Sequence, residues 1–173
     1  MQSPDPAARA AQIERSIADH GDRGFGLCAA CQRIGSCHLG IREAHRDGPD
    51  SLRAVASCPP TFAGAAEVAH GGWVAAVFDD FLGQLSVLHG QLHVTASITV
   101  DFAKPVPIER DVHIVGTRGE YEGRRLPMRA EMMLASSGAR LASARGIWVS
   151  RDMSHYQQHD EWLASQDRPD APS

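Results

Sequence analysis

Lysine is nearly absent from this chain, and long apolar runs are missing. Sixteen of its 17 basic residues are Arg, and the single Lys is Lys104. With 21 acidic residues the net charge is −4, which excludes the broad basic surface typical of nucleic-acid-binding proteins. No stretch approaches the roughly 18 apolar residues of a membrane span, and the N-terminus lacks a basic-then-apolar signal pattern. We therefore expect a cytoplasmic protein.

Cysteine is also scarce, but the four Cys residues are not scattered at random. Cys28 and Cys31 have Cys-x2-Cys spacing, and Cys37 and His38 follow closely. Such a cluster could seed a zinc site, act in redox chemistry or a disulfide, or supply structural thiols to a turn. The spacing after Cys31 matches no standard zinc finger, and a second Cys-x2-Cys is absent. The pattern favours structural thiols, and we predict no metal and no organic cofactor.

The 173 residues, 43% of them hydrophobic, suffice for one ordinary domain with its own core. Residues 1–25 are predicted to be an N-terminal covering segment with a short helical pattern, and residues 26–150 to be the domain. Residues 151–173 form a polar tail with one possible helical turn at 156–163 and a disordered end at 167–173. No repeat or linker interrupts the domain.

Alternation of polar and apolar residues predicts a series of strands around one helix. The clearest strand is His93–Phe102, which Lys104-Pro105-Val106-Pro107 ends, because proline cannot donate to a central ladder. Residues 61–69 are predicted to be a loop of small residues. The other predicted strands cover 39–43, 52–57, 111–117, 126–136 and 139–150. The pattern predicts an α+β fold with a long antiparallel sheet and one buried helix across it.

The predicted helix, residues 70–88, is the only long apolar segment with helical periodicity. Its apolar stripe comprises Val74, Val77, Phe78, Phe81, Leu82, Leu85 and Leu88. Asp79 and Asp80 interrupt this apolar helix, and ionised carboxylates rarely stand in such a setting unless they are paired or used. Asp79 also falls on a second stripe of small residues, with Gly72, Ala76, Gly83 and Ser86. A ligand or a second backbone can therefore approach this side closely.

His70-Gly71-Gly72 opens the helix and leaves its first N–H groups unobstructed, which suits a developing oxyanion. Gly72 and Asp79 are seven residues apart, roughly 10 Å along the axis, too far for one small reacting group to touch both on one helix. If both serve one site, two chains supply them. The sequence thus predicts a dimer with antiparallel helices.

Over about residues 26–150 the chain resembles the hotdog-fold acyl-CoA thioesterases of the phenylacetate and 4-hydroxybenzoyl-CoA types. The resemblance rests on His70-Gly71-Gly72 followed by Asp79, then on the strand Thr95 to Phe102, then on Lys104-Pro105-Val106-Pro107. The Cys28-x2-Cys31 pair also resembles a cysteine pair found in one branch of these proteins. The resemblance implies a hotdog fold, in which a long antiparallel sheet wraps around one central helix.

The resemblance also implies roles for the residues of the motif. The backbone N–H of Gly71, with Gly72 beside it, polarises the thioester carbonyl, and His70 positions the loop. Asp79 from the partner chain acts as general base or nucleophile. The hydroxyl of Thr95 holds the water or the carboxylate. Simple alternation places Thr95 opposite the apolar face, however, so a bulge or the dimer geometry must turn it inward.

Several positions depart from the family pattern or suggest substrate contacts. Gly64 stands where many relatives have Asn, and Glu67 stands where a Gly is common. Trp73 replaces a smaller residue and is predicted to shorten the acyl pocket. Arg124 and Arg125, on a turn, are candidates for the phosphates of coenzyme A, and Lys104 is the one amine available to bind an anion.

We therefore predict an enzyme that hydrolyses an acyl-CoA or related acyl thioester, built as a homodimer and possibly a dimer of dimers. Two alternatives keep the fold. One is a non-catalytic acyl-thioester binding or regulatory protein, which the absent Asn favours and Asp79 opposes. The other is a hotdog dehydratase or hydratase, and it ranks last because the expected proline-rich histidine loop is absent.

Overall fold

The computed structural model describes residue 31 and residues 35–87, 91–152 and 154–166. The predicted N-terminal covering segment and the end of the tail lie outside these residues. The central helix is α1, Gly71–Val87, and a second helix, α2, is Ser154–Gln166. The strands are β1 Ile41–Arg46, β2 Ser51–Ser57, β3 Ala63–Ala65, β4 Val68–Ala69, β5 His93–Phe102, β6 Asp111–Arg118, β7 Arg125–Leu134 and β8 Arg140–Ser150.

Six of the strands form one antiparallel sheet in the order β1-β2-β6-β7-β8-β5, and α1 packs across it. This is the predicted arrangement of a long sheet around one helix. The predicted apolar face of β7 is confirmed, since Leu126, Met128, Ala130 and Met132 are all buried. β5 lies at the edge of the sheet, where β8 is its only partner among the described strands.

α1 is buried over most of its surface, as its sequence predicts. The residues that pack against the sheet are Trp73, Val74, Val77, Phe78, Phe81, Leu82 and Leu85. The opposite side exposes Gly72 and Asp79 and leaves Ala76 and Gly83 only partly covered. The stripe of small residues therefore faces away from the sheet, although Ser86 at its end is buried.

Two predicted segments need correction. Residues 61–69 are not an irregular loop, because a 3-10 turn at Pro60–Phe62 leads into the small hairpin of β3 and β4. This hairpin is held from both sides: His70 N–H donates to Phe62 O, and Ala69 N–H donates to Val106 O. The C-terminal segment forms 13 helical residues, where the sequence predicts a single turn. No helix in the described parts of the chain is long and apolar enough to cross a membrane.

A bulge in β5 determines on which face of the sheet Thr95 lies. Thr95 faces Trp148 across the ladder and Ser97 faces Ile147, so Ala96 is the extra residue. Because directly opposed residues share a face of the sheet, Thr95 lies on the same face as the buried Trp148. The bulge thus turns Thr95 toward α1, as the sequence argument required.

Candidate active site

The N-terminus of α1 offers one unoccupied backbone donor. His70 caps the helix: its carbonyl accepts the N–H of Trp73 at 2.9 Å, and its Nδ1 accepts the N–H of Gly72 at 2.8 Å. Gly71 N–H has no acceptor within the described part of the chain. The helix dipole adds partial positive charge at this point. Gly71 is thus the free donor, and Gly72 is held by the histidine.

Gly64 lies directly beneath the histidine. A Cβ built on Gly64 would be only 2.8 Å from His70 Cα and 3.2 Å from His70 N. Both are backbone atoms, which the β3–β4 hairpin holds in place. Any side chain at this position, including the Asn found in many relatives, would therefore require the hairpin or His70 to shift.

A cleft of about 330 Å³ opens beside Gly71. Phe102 forms one wall: its ring carbons lie 3.5 Å from the position of a Cβ on Gly71, although 57% of Phe102 is exposed. Lys104 also lines the cleft. The remaining lining residues are Val68, Ala69, Val74, Ala103, Pro105 and Val106. A largely apolar cleft with one free N–H donor suits an acyl group whose carbonyl oxygen points at the helix.

Asp79 and Thr95 are brought together by the bulge in β5. The Thr95 hydroxyl donates to Asp79 Oδ1 at 2.7 Å, and both side chains are exposed in the single chain. The bond leaves Oδ2 of Asp79 available. A carboxylate held by one hydroxyl on an otherwise apolar helix is arranged to accept a proton or to attack a carbonyl carbon.

Gly71 is the first residue of α1, and Asp79 lies at the middle of the helix. The two residues are eight positions apart, about 12 Å along the axis. Each is matched by a different part of β5: Phe102 lies beside Gly71, and Thr95 bonds Asp79. Within one chain the donor and the carboxylate therefore face separate places.

Two predicted substrate residues, Trp73 and Glu67, have different surroundings. Trp73 is 1% exposed, and its indole N–H donates to Leu39 O at 3.1 Å. It belongs to the core and does not line the cleft at Gly71. Glu67 is exposed at the β3–β4 turn with φ of 59°, the left-handed region that favours Gly. This explains why a Gly is common at that position in relatives.

The structure separates Arg124 from Arg125. Arg124 O accepts the N–H of Ser150, and Arg125 faces Val149 in the next rung. Arg124 lies on the exposed turn before β7, whereas Arg125 is the first residue of that strand.

The cysteine cluster is only partly described, since Cys28 lies outside the described residues. Cys31 is buried, and its Sγ lies 2.8 Å from His38 Nδ1. Cys31 Sγ also accepts the N–H of His38 at 3.2 Å. Among the residues that the structure describes, no group of three or more His, Cys, Asp or Glu converges as a metal site. Cys37 and Cys58 form no disulfide within the described residues.

Sequence reasoning did not identify Phe102 as a neighbour of the helix N-terminus. Its position just before Lys104-Pro105 at the end of the β5 pattern was the only signal. It also did not identify the cluster of His93, Tyr121 and Gln91 at the other end of β5. There the Tyr121 hydroxyl lies 2.9 Å from His93 Nε2 and 2.7 Å from Gln91 Oε1, and burial lowers the pKa of His93.

The fold has many known relatives. The chain superposes on the Escherichia coli PaaI protein from the phenylacetic acid degradation operon with a TM-score of 0.63 and 15% identity, covering 82% of this chain and 98% of PaaI. A hypothetical thioesterase of Streptococcus pneumoniae TIGR4, solved with coenzyme A, gives 0.59 at 15% identity over 63% of this chain and 84% of that protein. The protein smu.793 of Streptococcus mutans UA159, bound to acetyl-CoA, gives 0.58 at 14% identity, covering 63% and 87%.

Sequence comparison agrees with the structural relatives. A search of curated proteins found no significant match. Residues 66–138 match the model of the thioesterase superfamily. This range includes the helix N-terminus, Asp79 and Thr95. The predicted resemblance is confirmed: the chain is a hotdog-fold protein that carries the thioesterase-superfamily match in the part that contains its candidate site.

Proposed function

We propose that this protein is a thioesterase that hydrolyses an acyl-CoA, or a related acyl thioester, to the free acid and the thiol. The observation that carries the proposal is the 2.7 Å hydrogen bond from Thr95 to Asp79 on the exposed side of a buried helix. A carboxylate in this position is fixed by a neutral donor and is open to a ligand. Thioester hydrolysis needs such a base and an oxyanion donor, and little acid assistance because a thiolate leaves readily.

In this proposal the Gly71 N–H is the oxyanion donor. The thioester oxygen binds there, with the acyl chain in the apolar cleft beside Phe102 and Lys104. His70 and Gly72 hold the loop through their own hydrogen bond and so keep the Gly71 N–H in place. Such fixed donors stabilise the tetrahedral intermediate more than the substrate.

Asp79 performs the chemical step either as a general base for water or as the nucleophile itself. As general base it takes a proton from water as the oxygen attacks the carbonyl carbon. The C–S bond then breaks, the electron pair leaves with sulfur, and the proton passes to the thiolate. As nucleophile its oxygen attacks the carbonyl carbon, the C–S bond breaks and the thiolate leaves. Water then hydrolyses the mixed anhydride to the acid and free Asp79, and the proton released passes to the thiolate. Thr95 orients the carboxylate in both routes.

The relatives support a functional role for Asp79 and Thr95. Structures exist of two variants of the pneumococcal thioesterase, one with an Asp and one with a Thr replaced by Ala. The two replaced residues are sixteen positions apart, as are Asp79 and Thr95. Coenzyme A and acetyl-CoA are bound in the two streptococcal proteins named above. An acyl-CoA is therefore the ligand class that we infer for this chain.

The complete site is proposed to require two copies of the chain. β5 presents a ten-residue edge, and unpaired edges readily pair with a second strand. A two-fold antiparallel pair of β5 strands places the Thr95 end of one copy beside the Phe102 end of the other. Asp79 of one copy then approaches Gly71 of the second. The cytoplasmic location and a dimer of dimers stay predictions.

The test is thiol release from acetyl-, hexanoyl-, decanoyl-, benzoyl- and phenylacetyl-CoA. We expect turnover by the native protein and a loss of about a hundredfold or more in Asp79→Asn, because the carboxylate is replaced by a non-basic isostere. Asp47→Asn is the matched control, since Asp47 is exposed between β1 and β2 and ion-paired with Arg53. Binding without turnover by native protein would favour the non-catalytic alternative, which the lack of an Asn at Gly64 also favours.

A further inference from the structure

Phe102, the last residue of β5, is a large apolar side chain that the fold leaves uncovered. At 57% it is the most exposed large hydrophobic residue in the described parts of the chain. Phe102 faces Ala142 across the ladder, and Ala142 is fully buried. Because directly opposed residues share a face of the sheet, the ring leaves β5 on the side that carries α1. It therefore lines the Gly71 cleft with a surface that a ligand can touch.

The ring lies beside the free backbone donor of α1. Its Cε1 and Cζ atoms are each 3.5 Å from the position of a Cβ on Gly71, which is ordinary van der Waals contact. A methyl-sized group at that position would just touch the ring. A carbonyl oxygen that accepts the Gly71 N–H lies about 2.9 Å from the nitrogen of the same residue. The ring thus borders the space for the carbonyl carbon and for the first carbon of the acyl group.

The backbone around this space is held in place. Ala69 and Val106 are buried in the lining of the cleft, and Ala69 N–H donates to Val106 O at 2.8 Å. The two residues that follow Phe102 both donate their N–H groups to Leu141 O at 2.9 Å, which fixes the end of β5. Closely packed protein interiors yield little to added volume. The cleft therefore has fixed backbone on two sides, one of which carries the ring.

A narrow space beside the carbonyl distinguishes acyl groups by branching at the first carbon after the carbonyl, the α-carbon. An unbranched α-carbon carries two hydrogens and can lie against the flat ring. A methyl group on the same carbon widens the acyl group next to the ring, so either the ring or the substrate must move, and such overpacking is unfavourable. One methyl group in an apolar pocket typically changes kcat/KM by about 10- to 200-fold.

We propose that Phe102 is a specificity-determining residue that admits acyl groups unbranched at the α-carbon and excludes α-branched ones. The inference rests on the proposed thioesterase function, which supplies the reaction, and on the binding of the carbonyl oxygen at Gly71. It narrows the substrate class to acyl thioesters that are straight-chain or branched only beyond the α-carbon. It also accounts for an aromatic ring that the core leaves exposed.

Three isomeric substrates that differ only in the position of one methyl group test the proposal: pentanoyl-, 3-methylbutanoyl- and 2-methylbutanoyl-CoA. Native protein should hydrolyse the first two with similar kcat/KM and the third, the α-branched isomer, at least about tenfold less efficiently. Phe102→Ala should raise kcat/KM for the α-branched isomer relative to pentanoyl-CoA and bring their ratio close to one. Trp162→Ala is the matched control, because Trp162 on α2 is an equally exposed aromatic residue outside the cleft, and it should keep the native ratio.

Phe102→Leu guards against an effect on the fold or on a dimer, because it keeps an apolar side chain at the edge of β5. It should retain the native molecular mass by light scattering and give a ratio between those of native protein and Phe102→Ala. Native protein that hydrolyses all three isomers equally well would overturn the proposal. An equal fall of kcat/KM for all three isomers in both Phe102 variants would also overturn it, since the ring would then act without regard to the acyl group.

Binding measurements separate this proposal from the proposed function. The Kd values of the same three thioesters, measured by calorimetry on native protein and on Asp79→Asn, should show the same selection against the α-branched isomer. Selective binding without hydrolysis by native protein would overturn the thioesterase and leave the role of Phe102 standing. Hydrolysis without selection in either kcat/KM or Kd would overturn the role of Phe102 and leave the thioesterase standing.

Discussion

The Thr95 hydroxyl reaches Asp79 only because Ala96 forms a bulge between Thr95 and Ser97. Without the bulge, strict alternation would send Thr95 to the outer face of the sheet. The bulge inserts one residue and so reverses the parity of everything before it. One local irregularity thus links the edge strand to the helix carboxylate.

Removing the Thr95 hydroxyl should lower turnover less than removing the Asp79 carboxylate. We expect Thr95→Ala to reduce kcat about tenfold, because the carboxylate loses one oriented donor worth about 1.5 kcal/mol. Thr95→Ser keeps the hydroxyl and should restore most of the rate. Steady-state kinetics on the best acyl-CoA of the panel measures both. A serine variant as slow as the alanine variant would show that the methyl group, and not the hydrogen bond, matters.

Substitution at Gly64 should be costly although the residue is exposed. A Cβ at this position meets His70 Cα at 2.8 Å, so Gly64→Ala is expected to lower the free energy of unfolding by about 1 to 3 kcal/mol. Gly64→Asn should cost more and should also reduce turnover by moving His70. Urea denaturation measures the stability. Native stability in Gly64→Asn, with equal or higher activity, would contradict this explanation of the departure from the family pattern.

Substitutions at Gly83 test whether a second copy of the chain packs against the small-residue stripe of α1. A Cβ there has no atom within 4 Å in the single chain, so Gly83→Ala should stabilise α1 by up to about 1 kcal/mol through helix propensity. Gly83→Leu should instead block close approach at the small-residue stripe of α1. We expect it to be monomeric by light scattering and nearly inactive.

The control for the dimer test is Glu120→Leu, which places the same side chain on an exposed turn. It should keep the native molecular mass and activity. If Gly83→Leu is dimeric and fully active, the small-residue stripe is not the interface.

Cys58 should make stability fall at high pH. The thiol is 1% exposed, and burial raises its pKa to about 11 from an ordinary value of 9.0. Between these values the unfolded chain has lost the proton and the folded chain retains it. The contribution of this group to the free energy of unfolding therefore falls by up to about 1.4 kcal/mol per pH unit between pH 9 and 11, about 2 kcal/mol over the whole window, and is fully present well below pH 9.

The measurement is urea denaturation at several pH values in native protein and Cys58→Ala. Other groups also titrate in this range, so the difference between the two slopes is the result of interest. Between pH 9 and 11 the free energy of unfolding of Cys58→Ala should fall by about 2 kcal/mol less than that of the native protein. Equal slopes would mean that the Cys58 thiol ionises without unfolding.

Much of the fold was predictable because the main signals are local. The period of α1 and the alternation of β5 are each contained in a single segment, and both elements appear within one residue of their predicted bounds. The β3–β4 hairpin was not predictable, since its strands of three and two residues carry no periodic pattern. Its bond to Val106 comes from a distant part of the chain.

The sequence by itself determined a buried helix that carries Asp79 on its small-residue side, a glycine-rich helix start and the spacing between them, because helix geometry follows from residue number alone. Only the tertiary structure decided that Gly72 is occupied by His70 while Gly71 is free, that a bulge brings Thr95 to Asp79, and that Trp73 belongs to the core. These outcomes depend on strand register and on contacts between distant segments, which no local pattern encodes.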